Sequence, residues 1–261
     1  MTVSRTELER TLETMAPLAL AESWDNVGYL IDPGATSWSH IFITIDLTDA
    51  ALEEALAVGA DFVLSYHPPI FQGLKRLRST EPGERSVLEA VRRGLTIYSP
   101  HTALDAAAGG MTDWLVDALG SGATAPIVPH RFDAAVGAGR VRTLDAAVPL
   151  SAAVERIKAH LGLTRVRLSD AGTREVRSFA VCPGAGGSVF EKLGPVDLIL
   201  TGEMRHHDVL GRQLRGTSVI LTDHTNSERG YLPLLAEKIA AAHPTLGVTV
   251  SQFDADPLVV V

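Results

Sequence analysis

Histidines and carboxylates gather at the predicted ends of β-strands in this chain. The sequence has nine histidines, and five of them follow predicted strands directly or lie on the loops that leave them: His67, His101, His206, His207 and His224. Carboxylates accompany these histidines at the same places: Asp105, Glu203 and Glu228. Imidazole nitrogens together with carboxylate oxygens suit Zn, Fe, Mn or Co better than Ca or Cu(I). The one cysteine, Cys182, excludes an internal disulfide and a thiolate zinc site, so the predicted metal ligands are nitrogen and oxygen atoms.

Two pairs of these residues share one spacing. His224 and Glu228 are four residues apart, which places both side chains on one face if the segment is helical, although Asn226 also fits a capping turn. A pair of this kind occurs by chance in many soluble chains. The same spacing recurs between His101 and Asp105, while the intervening residues differ. The recurrence makes metal binding as good an explanation of the spacing as coincidence.

His67 lies between Tyr66 and a proline pair at the end of an apolar run. Pro68 biases the backbone of His67 towards the extended region and removes the next strand donor. This arrangement predicts a rigidly held imidazole at a strand end. A strand-ending turn with an ordinary hydrogen-bonded histidine explains the pattern equally well.

The elements that carry these residues occur twice along the chain. The β-branched run at residues 41–46 is followed by a helical pattern and a second apolar run at 61–65, and 136 residues later the same order appears at 177–182 and 197–201. Strands that alternate with helices over short loops pair in parallel through right-handed crossovers. Ligand sites in such sheets lie beyond the carboxyl ends of the strands. The sequence therefore predicts an α/β protein of two similar, duplicated halves.

The length of 261 residues fits two modest α/β domains. We expect a first α/β domain over residues 1–125 and a second over residues 126–261, with the last strand returning to the first sheet. Ser4 and Ser151 are predicted N-caps of the helices that open the two halves. The segment Gly120–Leu144, rich in Gly, Pro and Ala, is predicted to be a linker.

Charge and hydropathy exclude some classes of partner. The net charge of −8 gives no broad positive field for nucleic acid, which makes nucleic acid an unlikely partner. The first ten residues are polar and charged, and no run approaches eighteen apolar residues, so we expect no membrane association and a cytoplasmic location.

Five motifs, in order, resemble the signatures of one known family. They are Glu22-Ser-Trp-Asp-Asn-Val-Gly28, Ser65-Tyr-His-Pro-Pro-Ile-Phe71, His101-Thr-Ala-Leu-Asp105 with Gly109-Gly110, Gly202-Glu-Met-Arg-His-His207 and His224-Thr-Asn-Ser-Glu228. The family is the Nif-three-like dinuclear-metal family, whose members are also called GTP cyclohydrolase I type 2 homologs. The resemblance runs from about residue 4 to residue 245.

The resemblance implies a Nif-three-like fold with two divalent metal ions in a cleft between the halves. It also implies a ring-shaped homohexamer, a trimer of dimers, with the metal sites facing an internal cavity. By position, the ligands here would be His67, Asp105, His224 and Glu228. The family commonly has a histidine where this chain has Tyr66, and a phenol binds a metal well only after losing its proton. Tyr66 is therefore a predicted ligand of a second ion that is either more weakly bound or absent.

Two hypotheses about function follow from this resemblance. The first is a metal-dependent hydrolase of a purine nucleotide, in which a metal-bound water attacks the imidazole ring of GTP and formate is released. Glu203 or His101 would then carry the proton as catalytic residues. Glu203 also fits a ligand-orienting role or an inert surface carboxylate, and His101 fits a residue that orients Asp105 or a capping residue. The second hypothesis is a non-catalytic metal-binding or regulatory hexamer. A metallophosphoesterase is a third alternative, disfavoured by the lack of D-x-H and G-D-x-x motifs near the predicted strand ends.

One glycine-rich loop has two interpretations. Pro183-Gly-Ala-Gly-Gly-Ser188 follows a predicted strand and opens a predicted helix, so its amides would suit a phosphate. It matches neither G-x-G-x-x-G nor a P-loop. A tight turn that requires a positive φ is the favoured interpretation.

Overall fold

The computed structural model describes residues 2–259, which fold into fifteen strands and nine α-helices. The strands are β1 (Val3–Ser4), β2 (Gly28–Ile31), β3 (Ser37–Trp38), β4 (His40–Thr44), β5 (Phe62–Ser65), β6 (Thr96–Ser99), β7 (Gly122–Ala125), β8 (Val128–Pro129), β9 (Gly137–Ala138), β10 (Arg140–Pro149), β11 (Arg167–Ser169), β12 (Glu175–Cys182), β13 (Leu198–Thr201), β14 (Ser218–Leu221) and β15 (Gly247–Val250). The α-helices are α1 (Arg5–Met15), α2 (Asp49–Ala57), α3 (Pro82–Arg93), α4 (His101–Ala106), α5 (Met111–Val116), α6 (Leu150–Leu161), α7 (Gly187–Phe190), α8 (His206–Gln213) and α9 (Leu232–Ala242). Among these helices, none has the length and apolar character needed to cross a bilayer.

The chain forms two compact units. The first contains residues 1–104 and 232–255, and the second contains residues 105–231 and 256–261. The first unit ends at Leu104 instead of residue 125, and it also contains α9 and β15 from the end of the chain. Strand β15 pairs in parallel with β4 of that unit.

The first unit is built on a five-stranded sheet in the order β15-β4-β5-β6-β2. The first four of these strands are parallel, and β2 is an antiparallel edge strand. Strands β4, β5 and β6 are buried almost throughout, as expected of parallel strands covered on both faces. Helices α2 and α3 cover one face and bury an apolar cluster that includes Phe42, Leu52, Val63 and Val87.

The second unit is built on a six-stranded sheet in the order β11-β14-β13-β12-β10-β7. Strands β12, β13 and β14 are parallel, and the outer strands pair antiparallel. Helices α5 and α6 pack on one face, where Leu115, Ile157, Phe179 and Leu200 are fully buried.

The predicted duplication is confirmed by strand order. Strand β5 lies between β4 and β6, and β13 lies between β12 and β14, with parallel pairing in both cases. Both trios also end in an antiparallel edge strand, β2 beside β6 and β11 beside β14. The halves differ at the other side, where β15 is parallel to β4 but β10 is antiparallel to β12.

The predicted linker Gly120–Leu144 is instead largely strand, so that prediction is wrong. Its residues form β7, β8, β9 and the start of β10. Its glycines reflect close strand packing rather than flexibility: a Cβ on Gly122 would lie 2.2 Å from the Thr143 carbonyl oxygen. Pairing of β7 with β10 thus requires a residue without a side chain at this place.

The two predicted N-caps have different outcomes. Ser4 caps α1 in a capping box. The Glu7 N–H donates to Ser4 Oγ, and the Ser4 N–H donates to the Glu7 carboxylate. Ser151 lies inside α6 instead. That helix begins at Leu150 because β10 runs directly into it, with Pro149 as the capping residue and no side-chain cap.

Candidate metal centre

In the second unit, the loop that follows β14 brings His224 and Glu228 together. Two short 3-10 turns, at Thr225–Ser227 and Arg229–Tyr231, replace the helix that the spacing allowed. The His224 Nε2 atom lies 3.6 Å from Glu228 Oε1. The side chain of Glu228 is only 2% exposed, whereas that of His224 is 36% exposed. The buried carboxylate and the half-buried imidazole are an oxygen and a nitrogen donor of the kinds that bind zinc in proteins.

The backbone of this loop is held by hydrogen bonds from its own unit. Ser227 Oγ donates to the His224 carbonyl oxygen at 2.7 Å, and the Gly184 N–H donates to Ser227 Oγ at 2.8 Å. Asp223, just before His224, has a φ of 68°, a left-handed conformation that Asp tolerates better than most residues. The hydrogen bonds of this turn therefore determine the direction of the His224 side chain.

Gly184 forms a cradle against both side chains. Its φ is 59°, and a Cβ built on it would lie 2.7 Å from Glu228 Oε1 and 2.8 Å from His224 Nε2. The tight-turn interpretation of the glycine-rich loop is thereby confirmed. Only a residue without a side chain leaves the two donor atoms accessible from this direction, and a nitrogen with a carboxylate oxygen suits a borderline divalent cation. The donor set fits a metal.

Glu203 lies beside the His224 ring. Its Oε2 is 3.3 Å from His224 Nδ1, and its side chain is 51% exposed. The Glu203 N–H donates to the Gly184 carbonyl oxygen at 2.9 Å, so the loop after β13 is tied to the cradle. A carboxylate at Nδ1 selects the tautomer whose Nε2 lone pair is available to a cation. This geometry supports the ligand-orienting role of Glu203.

In the first unit, the strand β5 leads directly into Tyr66 and His67. The His67 Nδ1 atom lies 2.9 Å from Asp46 Oδ1, and Asp46 follows β4 at the same sheet edge. An ionised carboxylate can only accept, so Nδ1 carries the proton and Nε2 is the nitrogen suited to a cation. Tyr66 is 1% exposed, with its ring centroid 5.0 Å from that of His67 and 5.5 Å from that of His101.

His101 follows β6 and begins α4 with a φ of 29°. Its Nδ1 atom lies 2.7 Å from Oδ1 of Asp25, whose side chain is fully buried. Burial raises the pKa of the Asp25 carboxyl, but hydrogen bonds from His101 and Thr102 lower it more, so the net pKa is below its usual value. Asp25 is thus an ionised acceptor that orients His101. Asp105 lies one turn later on α4 and is partly buried.

The comparison with known proteins identifies the family. A model of the Duf34/NIF3 family (NGG1p interacting factor 3) matches residues 3–257 of the chain. The chain belongs to the Duf34/NIF3 family. The NIF3-like protein 1 of Drosophila melanogaster is 38% identical over 260 aligned residues, which cover 97% of this chain and 87% of that protein. The NIF3 homolog of Schizosaccharomyces pombe is 37% identical over 268 aligned residues, which cover 97% and 96% of the two chains.

Solved structures share the NIF3 fold of this chain. A Bacillus cereus protein related to NIF3 superposes with a TM-score of 0.86 at 20% sequence identity, covering 99% of both chains. Reduced HcgD from Methanocaldococcus jannaschii superposes with a TM-score of 0.82 at 21% identity, covering 97% of this chain and 99% of that chain. The predicted α/β fold of duplicated halves is therefore confirmed, while a metal site in a cleft stays a prediction.

Three residues that contact predicted site residues of this NIF3-family chain are not themselves predicted from the sequence. Asp25 and Asp46 each bind the Nδ1 atom of a predicted site histidine, and Gly184 approaches both His224 and Glu228. Asp46 had a signal, because it ends a predicted strand at the edge where ligands gather. Asp25 lies in the motif Glu22-Ser-Trp-Asp-Asn-Val-Gly28, but its hydrogen-bond partner His101 is 76 residues away, so no local pattern pairs the two.

Proposed function

We propose that this NIF3-family chain is a metal-dependent hydrolase that acts on a purine nucleotide. The ligands of two divalent ions would be His67, Asp105, His224 and Glu228, with Tyr66 as a weaker ligand of the second ion. The observation that carries the proposal is the cradle at Gly184, which keeps the donor atoms of His224 and Glu228 open to a cation. Zn, Fe, Mn and Co all suit this nitrogen and oxygen donor set.

The proposed ions would supply Lewis acidity, which lowers the pKa of water towards about 7 and stabilises a developing oxyanion. The chain's own residues supply orientation and proton transfer. Asp46 and Glu203 fix the proton on Nδ1 of His67 and His224, respectively, so that each ring presents Nε2. His101, fixed by Asp25 at Nδ1, keeps Nε2 to accept or donate a proton at the substrate.

The proposal is tested by metal analysis together with turnover of GTP. We expect the purified protein to bind about two divalent ions per chain, and the metal-loaded protein to release formate from GTP above the apoprotein control. The His224→Ala variant should lose both bound metal and turnover. Release of inorganic phosphate instead of formate would indicate a phosphoesterase.

A matched control and one conservative variant sharpen this test. His130→Ala alters a half-buried histidine outside the predicted site and should keep metal content and turnover. Glu203→Gln should weaken metal binding about 10-fold to 100-fold, because a neutral amide orients His224 less well. A different outcome would contradict the hydrolase proposal: His224→Ala loses its bound metal and, by light scattering, its assembled state, but there is no turnover for it to lose. The chain would then be a metal-dependent homohexameric scaffold.

A further inference from the structure

An exposed aromatic surface lies beside the site histidines of the first unit. Trp24 is 60% exposed and Phe71 is 48% exposed, and their ring centroids are 6.1 Å apart at an interplanar angle of 62°. Both rings also meet the His101 imidazole edge-on, with centroid distances of 6.2 Å and 6.4 Å. We call Trp24 and Phe71 the aromatic pair. Scattered exposed apolar residues are ordinary, but two exposed aromatic rings in mutual contact form a patch.

The loops that carry the aromatic pair are held rigidly. The Asn26 side-chain amide donates to the Ile70 carbonyl oxygen at 2.5 Å, which links the loop of Trp24 to the loop of Phe71. Asp25, next to Trp24, accepts hydrogen bonds from His101 and Thr102. These bonds hold the backbone on which the exposed indole stands. The exposure of Trp24 is therefore a fixed feature of the fold.

The surroundings of the aromatic pair favour one kind of occupant. The His101 ring contacts both members, and it lies 5.4 Å from the His67 ring, centroid to centroid. Because Asp25 binds Nδ1, the Nε2 atom of His101 is left to meet a polar atom on the edge of a ligand. Indole and phenyl faces bind flat rings by stacking, and this stacking depends little on which substituents the ring carries. A planar heteroaromatic ring can both stack on these faces and offer a polar atom to His101, whereas a hydrocarbon ring can only stack.

We infer that Trp24 and Phe71 form a stacking subsite for the heteroaromatic ring of the substrate, next to His101 and His67. The choice of a purine as that ring rests on the proposed function. The two stacking residues, Trp24 and Phe71, are not among the proposed metal ligands. Ring binding should consequently be measurable in the metal-free protein.

The experiment measures binding of guanosine and of ribose 5-phosphate to the metal-free protein by calorimetry. We expect guanosine to bind, and Trp24→Ala and Phe71→Ala each to weaken its binding about 10-fold to 100-fold. Trp24→Phe keeps a flat ring and should retain most of the affinity. Binding of ribose 5-phosphate should be the same in all variants, because it has no aromatic ring.

The control is Phe132→Ala, which removes another exposed aromatic side chain, 68% exposed, in the second unit and should leave guanosine binding unchanged. Failure of the wild type to bind guanosine, or equal binding by the alanine variants, overturns the inference. If these variants change sedimentation without changing guanosine affinity, the aromatic pair is a contact between copies of the chain and the inference is likewise overturned. Absence of GTP turnover alongside Trp24-dependent binding would contradict the hydrolase proposal alone.

Discussion

The accessibility of the candidate ligands His224 and Glu228 depends on a glycine, Gly184, at the adjacent turn. Gly184 lies on the turn after β12, where its amide donates to Ser227 and its carbonyl accepts from Glu203. The turn is thus bonded to the loops that carry His224 and Glu203. A positive φ is easily reached only by glycine, and a Cβ at 2.7 Å from Glu228 Oε1 and 2.8 Å from His224 Nε2 would also force those donor atoms to shift.

Gly184→Ala should separate these two requirements. We expect the variant to lose metal affinity at least about 10-fold, because the new methyl group displaces the donor atoms by a few tenths of an ångström or more. Its free energy of unfolding should also fall by about 1 kcal/mol for the left-handed backbone. Metal titration and urea unfolding measure the two effects.

Gly172→Ala is the matched control for that variant. Gly172 has a φ of 84°, and a Cβ added to it would have nothing within 4 Å, so it carries the backbone cost without the contact. Equal metal affinity in both variants would show that the cradle does not govern access to His224 and Glu228.

Among the elements, both sheets have an aspartate at the start of their parallel trios that accepts hydrogen bonds from the neighbouring strand. The Asp61 carboxylate accepts from the Ser39 N–H, the Ser39 hydroxyl and the His40 N–H at the start of β4. The Asp197 carboxylate accepts from the Arg177 N–H, the Ser178 N–H and the Ser178 hydroxyl in β12. Each aspartate comes just before the middle strand and binds its neighbour strand, which sets the register of the parallel pair.

Asp197→Asn should lower the free energy of unfolding by about 1 to 2 kcal/mol, because three donors lose a charged acceptor. Burial raises the pKa of Asp197, but hydrogen bonds from Ser178 and Arg177 lower it more, so the net pKa is depressed. A depressed pKa gives stability that is present above the unfolded value of about 3.9 and is lost as the pH falls through the folded pKa. The difference between wild type and variant should therefore be largest near neutral pH and shrink below about pH 4.

Asp145→Asn provides the comparison, since Asp145 is an exposed carboxylate on β10 of the same unit. Urea unfolding at several pH values should show little change for it at any pH. A pH-independent effect of Asp197→Asn would mean that the charge of the carboxylate is not what stabilises β12.

At the scale of the whole molecule, the chain returns to its first sheet after building the second unit. Strand β15 pairs with β4, and Asp254 accepts a hydrogen bond of 2.7 Å from the buried Ile45 N–H. Glu54 on α2 accepts from the Ser251 hydroxyl and from the backbone N–H groups of Gln252 and Phe253. Residues more than 190 positions apart thus complete one sheet.

Asp254→Ala should destabilise the first unit by about 1 to 3 kcal/mol, because the Ile45 N–H is left buried without its acceptor. The free energy of unfolding can be followed by circular dichroism in urea. Gln252→Ala, which changes an exposed side chain two residues earlier, should have little effect. Equal stability of the two variants would show that this bond does not anchor the returning segment.

Much of the fold follows from local pattern in the sequence. Apolar runs bounded by helical periodicity determine β4, β5, β12 and β13, and their repetition determines two similar sheets. Because parallel strands end at a common edge, the residues that follow them were expected to gather there. Within each unit they do so: His67 lies close to His101, and Glu203 lies beside His224.

Only the tertiary structure decided which groups contact these residues. The pairings of His101 with Asp25 and of His67 with Asp46, and the approach of Gly184 to His224, depend on side-chain directions set by packing. The strands within 120–144 form because β7 pairs with β10, although glycine and proline there predict a loop. Hydrophobic periodicity is a property of neighbours along the chain and can be read from it. Contacts between distant residues depend on how the whole core packs, which no local pattern specifies.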